Sequence, residues 1–171
     1  MKMLVIAAMF GVAMPHRLHA QPARLAGHIP ADFSWTLLSL SGERTTLDAF
    51  RGRVLVINSW ATWCEPCVAE LRTFQALRAA IPDSALQFVL VASQQREPVA
   101  QFVRRRRLQL PVFLEASAAP TVYAFEAVPT TWIIDRSGRI VFRHRGAMRW
   151  DTPAVQAFVR ELLDSPAHVT R

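Results

Sequence analysis

Cys64 and Cys67 are the only cysteines in the 171-residue sequence, and only Glu65 and Pro66 separate them. Two thiols at this spacing can pass two electrons by closing a disulfide, provided one of them reacts as a thiolate. Val54-Leu55-Val56-Ile57, just ahead of the pair, is a β-branched apolar run of the kind that forms a buried strand. Just behind it, Val68, Leu71, Phe74, Leu77 and Ile81 make an apolar stripe at helical spacing. Cys64 is therefore expected at the helix N-cap, where unpaired backbone N–H groups and the helix dipole favour negative charge. That lowers its pKa and makes it the expected nucleophile. Pro66 has no N–H to lose in the first helical turn. Cys67, one turn in, is expected beneath Cys64 and nearer the core, as the resolving thiol that breaks a mixed disulfide.

Other uses of the pair compete poorly. A structural disulfide closing so short a loop adds little stability. A tetrahedral zinc site needs four ligands, and there is no second cysteine pair. The five histidines (His16, His19, His28, His144, His168) are scattered rather than set at metal-ligand spacing. No metal and no cofactor is expected.

Asn58 to Glu70, with Trp63-Cys64-Glu65-Pro66-Cys67 at its centre, is followed by Val128-Pro129-Thr130-Thr131. Together they resemble the thioredoxin superfamily, specifically its TlpA/ResA-like branch of extracytoplasmic thiol–disulfide oxidoreductases. The resemblance spans roughly Phe33 to Leu163. Cys-Glu-Pro-Cys is most similar to the ResA type. The CcmG/DsbE type usually carries other dipeptides, and the Gly-Pro of cytosolic thioredoxin is absent.

The resemblance implies that Pro129 is a cis-proline facing the cysteines. Its job would be to leave the Val128 backbone free to pair with the extended chain of a bound partner. Glu70, three residues beyond Cys67, is implied to be a partly buried carboxylate with a raised pKa that exchanges protons with Cys67; an ordinary surface glutamate is the alternative. Asn58 stands where thioredoxin carries a buried aspartate. An amide cannot titrate, so Glu70 is left as the acid. Glu65 is expected to be exposed, its charge opposing the dipole at Cys64 and so disfavouring a strongly stabilised thiolate. Trp60 and Trp63 are expected to pack around the site. Trp63 joins Glu65, Pro66, Val128 and Pro129 in the expected client-binding surface, and His144 is read as a half-exposed sheet residue.

The elements that position this site follow in order. Residues 1–20 read as an export signal or short membrane tether: Lys2, an apolar run from Met3 to Met14, and Ala20 at the cleavage position. That run is about a dozen residues, short of the roughly 20 of a spanning helix. Residues 21–30 read as a linker and 31–168 as one domain, for which a hydrophobic content of 51% supplies an ample core. A strand over 33–40 and the turn Ser41-Gly42-Glu43 begin what the resemblance implies is an added N-terminal β-hairpin. A second buried strand is expected over 86–92, so that strand, helix and strand form a parallel βαβ unit. A helix opening at Glu97-Pro98, with Val99, Phe102 and Val103 inward, runs into Arg104 to Arg107, a solvated helix end or a docking face for an acidic partner or anionic lipid. A short strand over 112–114, a small helix over 119–125, an antiparallel hairpin over 130–145 and a last helix capped near Asp151 or Thr152 complete the chain. The sum is an α/β thioredoxin fold, a mixed central sheet flanked by helices.

The formal charge is +7 with a pI of about 11.1, yet no groove-reading motif or interleaved aromatic-basic pattern points to nucleic acid. Without Lys2 and Arg17 the charge is +5, all of the basic groups being arginine. A mildly basic surface suits acidic proteins or membrane lipids. The expected function is an exported, periplasmic or extracytoplasmic reductase of disulfides in client proteins. The resemblance implies apocytochrome c as a client and a membrane electron donor of the CcdA/DsbD kind. A thiol peroxidase lacks its Pro-x-x-x-Thr-x-x-Cys pattern here; it stands as an alternative, as does a copper-binding chaperone.

Overall fold

Seven consecutive buried residues make β4 (Val54–Trp60) the centre of the sheet. The computed structural model describes Leu25 and residues 29–166. The expected export signal, the linker apart from Leu25 and its last two residues, and His168 lie outside the described residues. In chain order the elements are β1 (Ile29–Pro30), β2 (Thr36–Ser39), β3 (Arg44–Thr46), β4, α1 (Glu65–Ala80), β5 (Leu86–Ala92), α2 (Arg96–Arg106), β6 (Val112–Glu115), β7 (Thr130–Ile134), β8 (Arg139–Arg145) and α3 (Pro153–Asp164).

The strands form one mixed sheet in the order β1-β8-β7-β4-β5-β6-β2-β3. β4 runs parallel to β5, as a helix crossover requires, and antiparallel to β7, with Asn58 opposite Thr131. The N-terminal hairpin is present: β2 pairs with β3 and also with β6, and so extends the sheet at one edge. The end of the stretch read as a linker is ordered into β1, which pairs with β8 at the other edge.

Alternation along β4 sends its side chains to two cores. Val56 and Trp60 join Leu71, Phe74 and Leu77 of α1, Val99 and Phe102 of α2, and Phe158 and Leu162 of α3. Leu55 and Ile57 face Trp35, Leu47, Tyr123 and Trp132 on the opposite side. Thus all three α-helices cover one face. Both crossovers, β4 to β5 and β5 to β6, step in the same direction across the sheet, and right-handed connections then place α1 and α2 together. Two single turns of 3-10 helix, Leu47–Phe50 and Thr121–Tyr123, help close the other face.

The small helix expected over 119–125 is only the second of those turns. Its work is done by one ring: Tyr123 stacks on Trp35 at 5.4 Å and meets Trp132 edge-on at 5.9 Å. α2 ends with Arg107 in the left-handed region (φ 50°), and Arg104 to Arg107 are exposed. Thr152 caps α3 by accepting the Val155 N–H at 3.3 Å. Gly138 turns β7 into β8 at φ +81°, and a side chain there would also meet the Phe33 ring at 3.2 Å.

Candidate active site

The chain leaves β4 at Trp60, turns through Ala61–Trp63 and enters α1 at Cys64. The Cys64 N–H closes that turn on the Ala61 carbonyl at 3.2 Å, and Val68 N–H takes the Cys64 carbonyl at 3.0 Å. Gln94, just past β5, fixes the turn from the side: its Oε1 accepts the Thr62 N–H at 2.8 Å and its Nε2 donates to Thr62 Oγ1 at 3.1 Å. Below, the Trp60 ring packs against Phe102 at 5.2 Å.

Cys64 is the N-cap of α1, and its Sγ accepts the Cys67 backbone N–H at 3.2 Å. A sulfur so placed has a donor aimed at it before any negative charge develops. The two cysteines are joined as a disulfide, with Cα atoms 5.2 Å apart. Cys64 keeps 6% of its surface exposed and Cys67 none, so the first sulfur faces the partner side and the second lies in the core. Glu65 and Pro66 are exposed, and Trp63 is 73% exposed. Trp60 packs inward, whereas Trp63 offers its ring to solvent beside Cys64.

Across the site the Val128–Pro129 peptide is cis. The Val128 carbonyl lies 3.9 Å from Cys64 Sγ. The ladder of β7 with its neighbours begins at Thr130, so Val128 lies outside the paired stretch. Thr130 Oγ1 donates to the Ala127 carbonyl at 2.7 Å and folds the approach to Pro129.

Glu70 is more deeply placed than the partly buried carboxylate expected from the sequence: 2% of its surface is exposed. Its Oε1 accepts from Trp150 Nε1 at 2.6 Å and from the Met148 N–H at 3.2 Å, and its Oε2 accepts from Asn58 Nδ2 at 3.1 Å. Burial pushes the Glu70 carboxyl above the ordinary carboxylate range; the hydrogen bonds from Trp150, Met148 and Asn58 pull the other way and offset only part of it. Loss of hydration is the largest of these opposing effects, so the net direction is upward. Glu70 follows Cys67 by one helical turn, the spacing at which side chains share a helix face. His144 is half-exposed on β8.

A thiol at a helix N-terminus with a second thiol buried behind it is an arrangement able to carry out thiol–disulfide exchange, and a buried acid one turn further and an unpaired backbone edge lie beside it. Among the described residues, no group of three or more histidine, cysteine or acidic side chains is gathered as a metal site requires. Gln94, Met148 and Trp150 carry no spacing signal that ties them to a CxxC pair, and Thr131 entered the sequence reading only as the end of the Val128-Pro129-Thr130-Thr131 stretch. Burial of a tryptophan alone does not announce a contact like that of Trp150 with Glu70, since Trp60 and Trp132 are as deeply buried and their indole N–H groups have no hydrogen-bond partner among the described residues.

The redoxin family pattern matches residues 25–159. The chain is 31% identical over 126 residues to the thioredoxin-like protein YneN of Bacillus subtilis, covering 71% of this chain and 72% of YneN. It is 29% identical over 152 residues to the thiol-disulfide oxidoreductase ResA of Oceanobacillus iheyensis, covering 86% of this chain and 79% of that one. The ResA proteins of Bacillus thuringiensis and Bacillus cereus are matched over 64–66% of their length. Among solved structures, a thiol:disulfide interchange protein of the thioredoxin family from Chlorobium tepidum superposes with a TM-score of 0.64 at 22% identity. That match covers 78% of this chain and 98% of that one, and it shows the shared fold.

Proposed function

This chain belongs to the redoxin family and carries a thiol–disulfide oxidoreductase site, and from that premise we propose that it is an exported reductase of disulfides in other proteins. The observation that carries the reading is the vertical order of the site: Cys64 at the partly open N-cap, Cys67 fully buried behind it, Glu70 one turn deeper.

In the forward direction the Cys64 thiolate attacks one sulfur of the client disulfide. A mixed disulfide forms, and the other client sulfur leaves as a thiolate. Cys67 then loses its proton to the Glu70 carboxylate, and its electron pair attacks Cys64 Sγ. The mixed disulfide breaks, the second client sulfur leaves reduced, and Cys64–Cys67 closes. Two electrons have moved from the dithiol to the client. Trp63, Glu65, Pro66, Val128 and Pro129 form the surface on which the client chain lies, with the Val128 backbone open to strand addition.

Export is supported by the composition of residues 1–20. Among the described residues no helix is long and apolar enough to cross a membrane. The names of the ResA relatives support a thiol–disulfide redox role. The resemblance of the Cys-Glu-Pro-Cys stretch to the extracytoplasmic TlpA/ResA-like branch supports the rest of the reading, with apocytochrome c before haem attachment as the proposed client and a membrane donor of the CcdA/DsbD kind as the source of electrons.

Direction is tested by equilibrating the pair against a glutathione series. The expected potential lies nearer thioredoxin's, about −270 mV, than that of the oxidant DsbA, about −120 mV; a value beside the latter overturns the reductase reading. The client is identified by reduced Cys67→Ala protein, which should retain a partner through Cys64 as a thiol-sensitive adduct. A Cys64→Ala variant should retain none.

A further inference from the structure

The segment between β8 and α3 touches both halves of the site. Gly146, at φ +88°, donates its N–H to the Pro129 carbonyl at 2.8 Å. Two residues on, the Met148 N–H reaches Glu70 Oε1 at 3.2 Å, and two further on Trp150 Nε1 reaches the same oxygen at 2.6 Å. Trp150 also donates its backbone N–H to Thr73 Oγ1 at 3.2 Å, whose hydroxyl donates to the Glu70 carbonyl at 2.8 Å. Five consecutive residues thus bind the carbonyl of the cis-proline to the side chain and the backbone neighbourhood of Glu70.

A second route closes the ring. Asn58 Nδ2 donates to Glu70 Oε2 and, at 2.9 Å, to Thr131 Oγ1, two residues beyond Pro129 on β7. The segment is also stiff where it meets Glu70. The Trp150 ring is fully buried, stacks on Phe74 at 4.9 Å and meets Phe142 edge-on at 5.8 Å, so the indole cannot swing without disturbing a close-packed core.

We propose that Gly146–Trp150 is a positioning strap for the proton step: it fixes the Glu70 carboxylate in one orientation and ties it to the Val128–Pro129 edge, so that a chain docked at Val128 alters proton uptake at Glu70. This rests on the reading of Glu70 as the acceptor of the Cys67 proton. Each carboxylate oxygen has about two acceptor positions. On Oε1 both are taken by the strap, whereas Oε2 has one donor, Asn58. The strap therefore directs the proton to Oε2. The Cys67 S–H bond breaks, the O–H bond forms at Oε2, and the sulfur keeps the electron pair for its attack on Cys64.

The surroundings leave this coupling unmasked. Among the described residues no charged side chain hydrogen-bonds or pairs with Glu70. On α1 the titratable neighbours are Cys64 and Cys67. β4 and β7 contribute the neutral Asn58 and Thr131. On β8, His144 stacks on Phe142 at 6.3 Å. On the strap and its exit, Arg149 and Asp151 pair with each other at 2.7 Å. Coupling of this kind is reciprocal, so protonation of Glu70 must alter client affinity by the same factor.

The test combines three variants. Carbon-detected NMR of the Glu70 carboxyl is followed against pH in Cys67→Ala protein, free and as the mixed disulfide of Cys64 with a short cysteine-containing peptide. The midpoint should differ by about one pH unit between the two forms. Adding Trp150→Phe should raise the free midpoint by about one unit, since the ring is kept and one charge-assisted donor lost, and should shrink the difference between forms. Coincident midpoints in the free and bound forms overturn the strap, and so does a difference that Trp150→Phe leaves unchanged. Should Trp150→Phe not fold, the free-against-bound comparison decides alone. Glu70→Gln separates the two readings: if the pH dependence of disulfide reduction overlays the parent's, the assignment of Glu70 has failed. If Glu70→Gln moves it while the midpoints coincide, only the strap has failed.

Discussion

Asn58 Nδ2 donates to Glu70 Oε2 at 3.1 Å in a region where Asn58 is wholly buried and Glu70 nearly so. The amide's other atom, Oδ1, has no hydrogen-bond partner among the described residues. An acceptor left bare in a core costs about 1–3 kcal/mol. Placed beside a carboxylate it has a use. Once Glu70 carries a proton, a half-turn of the amide presents Oδ1 to the new O–H and to the Thr131 hydroxyl. The present orientation suits the ion, and the turned one suits the acid. A neutral residue at position 58 thus accommodates both states of Glu70 without adding charge.

Asn58→Asp should destroy that tolerance. Two buried carboxyls would then lie at hydrogen-bond distance, and they would titrate as a coupled pair with apparent pKa values driven apart. The proton held between them should cost little in acid. As pH rises through the raised folded pKa, ionisation is opposed by burial and by the neighbour, so stability falls. Denaturant titrations should show a loss of about 2–4 kcal/mol at neutral pH that recedes toward pH 4. A loss independent of pH would show that the amide acts through shape alone.

Glu70→Gln should do the opposite. The folded pKa of Glu70 is raised, chiefly by burial, so its contribution to stability is fully present below the unfolded value and is lost as pH rises through the folded one. Glutamine removes that loss, and once the Asn58 amide has turned, the new NH2 on the Oε2 side can donate to Oδ1. The variant should therefore be as stable as the parent at neutral pH, or more so. Melting curves at pH 4 and pH 8 check this: the parent's advantage, if any, must lie at the acid end.

The strands and helices around the cysteines were legible because their signals are local. Val54 to Ile57 and Leu86 to Ala92 are apolar runs that only a buried strand uses well, and the stripe from Leu71 to Ile81 has one period. Cys64 as the N-cap followed from the same boundary. Ile29–Pro30 was not legible as a strand, because two residues carry no periodicity and their pairing depends on β8, more than a hundred residues away. The depth of Glu70 was hidden for a similar reason: what buries it is Trp150, eighty residues on, and nothing near Glu70 announces that indole. Position 58 was seen to lack a titrating group, but the bare Oδ1 depends on where Thr131 and Glu70 place their atoms.

Asp135 should carry the β7–β8 turn. Its Oδ1 accepts the Ser137 N–H at 2.9 Å, the Ser137 hydroxyl at 2.6 Å and the Arg139 N–H at 3.0 Å, and its Oδ2 meets Arg139 at 3.0 Å. Burial raises its pKa, but the hydrogen bonds from Ser137 and Arg139 together hold the carboxyl below its ordinary range. A lowered pKa stabilises the fold above the unfolded value, and that stability is lost as pH falls through the folded one. Asp135→Ala should cost about 2–4 kcal/mol at neutral pH by denaturant unfolding and remove most of the acid sensitivity below about pH 4. Equal acid sensitivity in both proteins would place it elsewhere.

Trp63→Ala should separate binding from folding. The ring is 73% exposed, so its removal should change stability by no more than about 0.5 kcal/mol. As part of the proposed client surface beside Cys64 it should matter for docking: KM for a disulfide-bonded protein client should rise several-fold, while a small disulfide such as oxidised glutathione is reduced at the parent's rate. An unchanged KM removes Trp63 from the client surface.

Cys64 should be the sulfur that reacts first once the pair is reduced. Its Sγ sits at the mouth of α1 and already accepts the Cys67 N–H, so a thiolate formed there keeps a donor. Cys67 has no exposed surface, and a negative charge on it would be buried without water. Access and charge therefore favour the same sulfur. Iodoacetamide near pH 7 should modify Cys64 at least tenfold faster, an energy difference of about 1.4 kcal/mol or more. Glu65 follows Cys64 in the first turn with its charge in solvent, which limits the advantage and should show as a dependence on salt. Labelling in Glu65→Gln should be faster at low ionic strength and converge on the parent in high salt. Preferential modification of Cys67 would reverse the roles of the two cysteines and with them the direction of the proton step at Glu70.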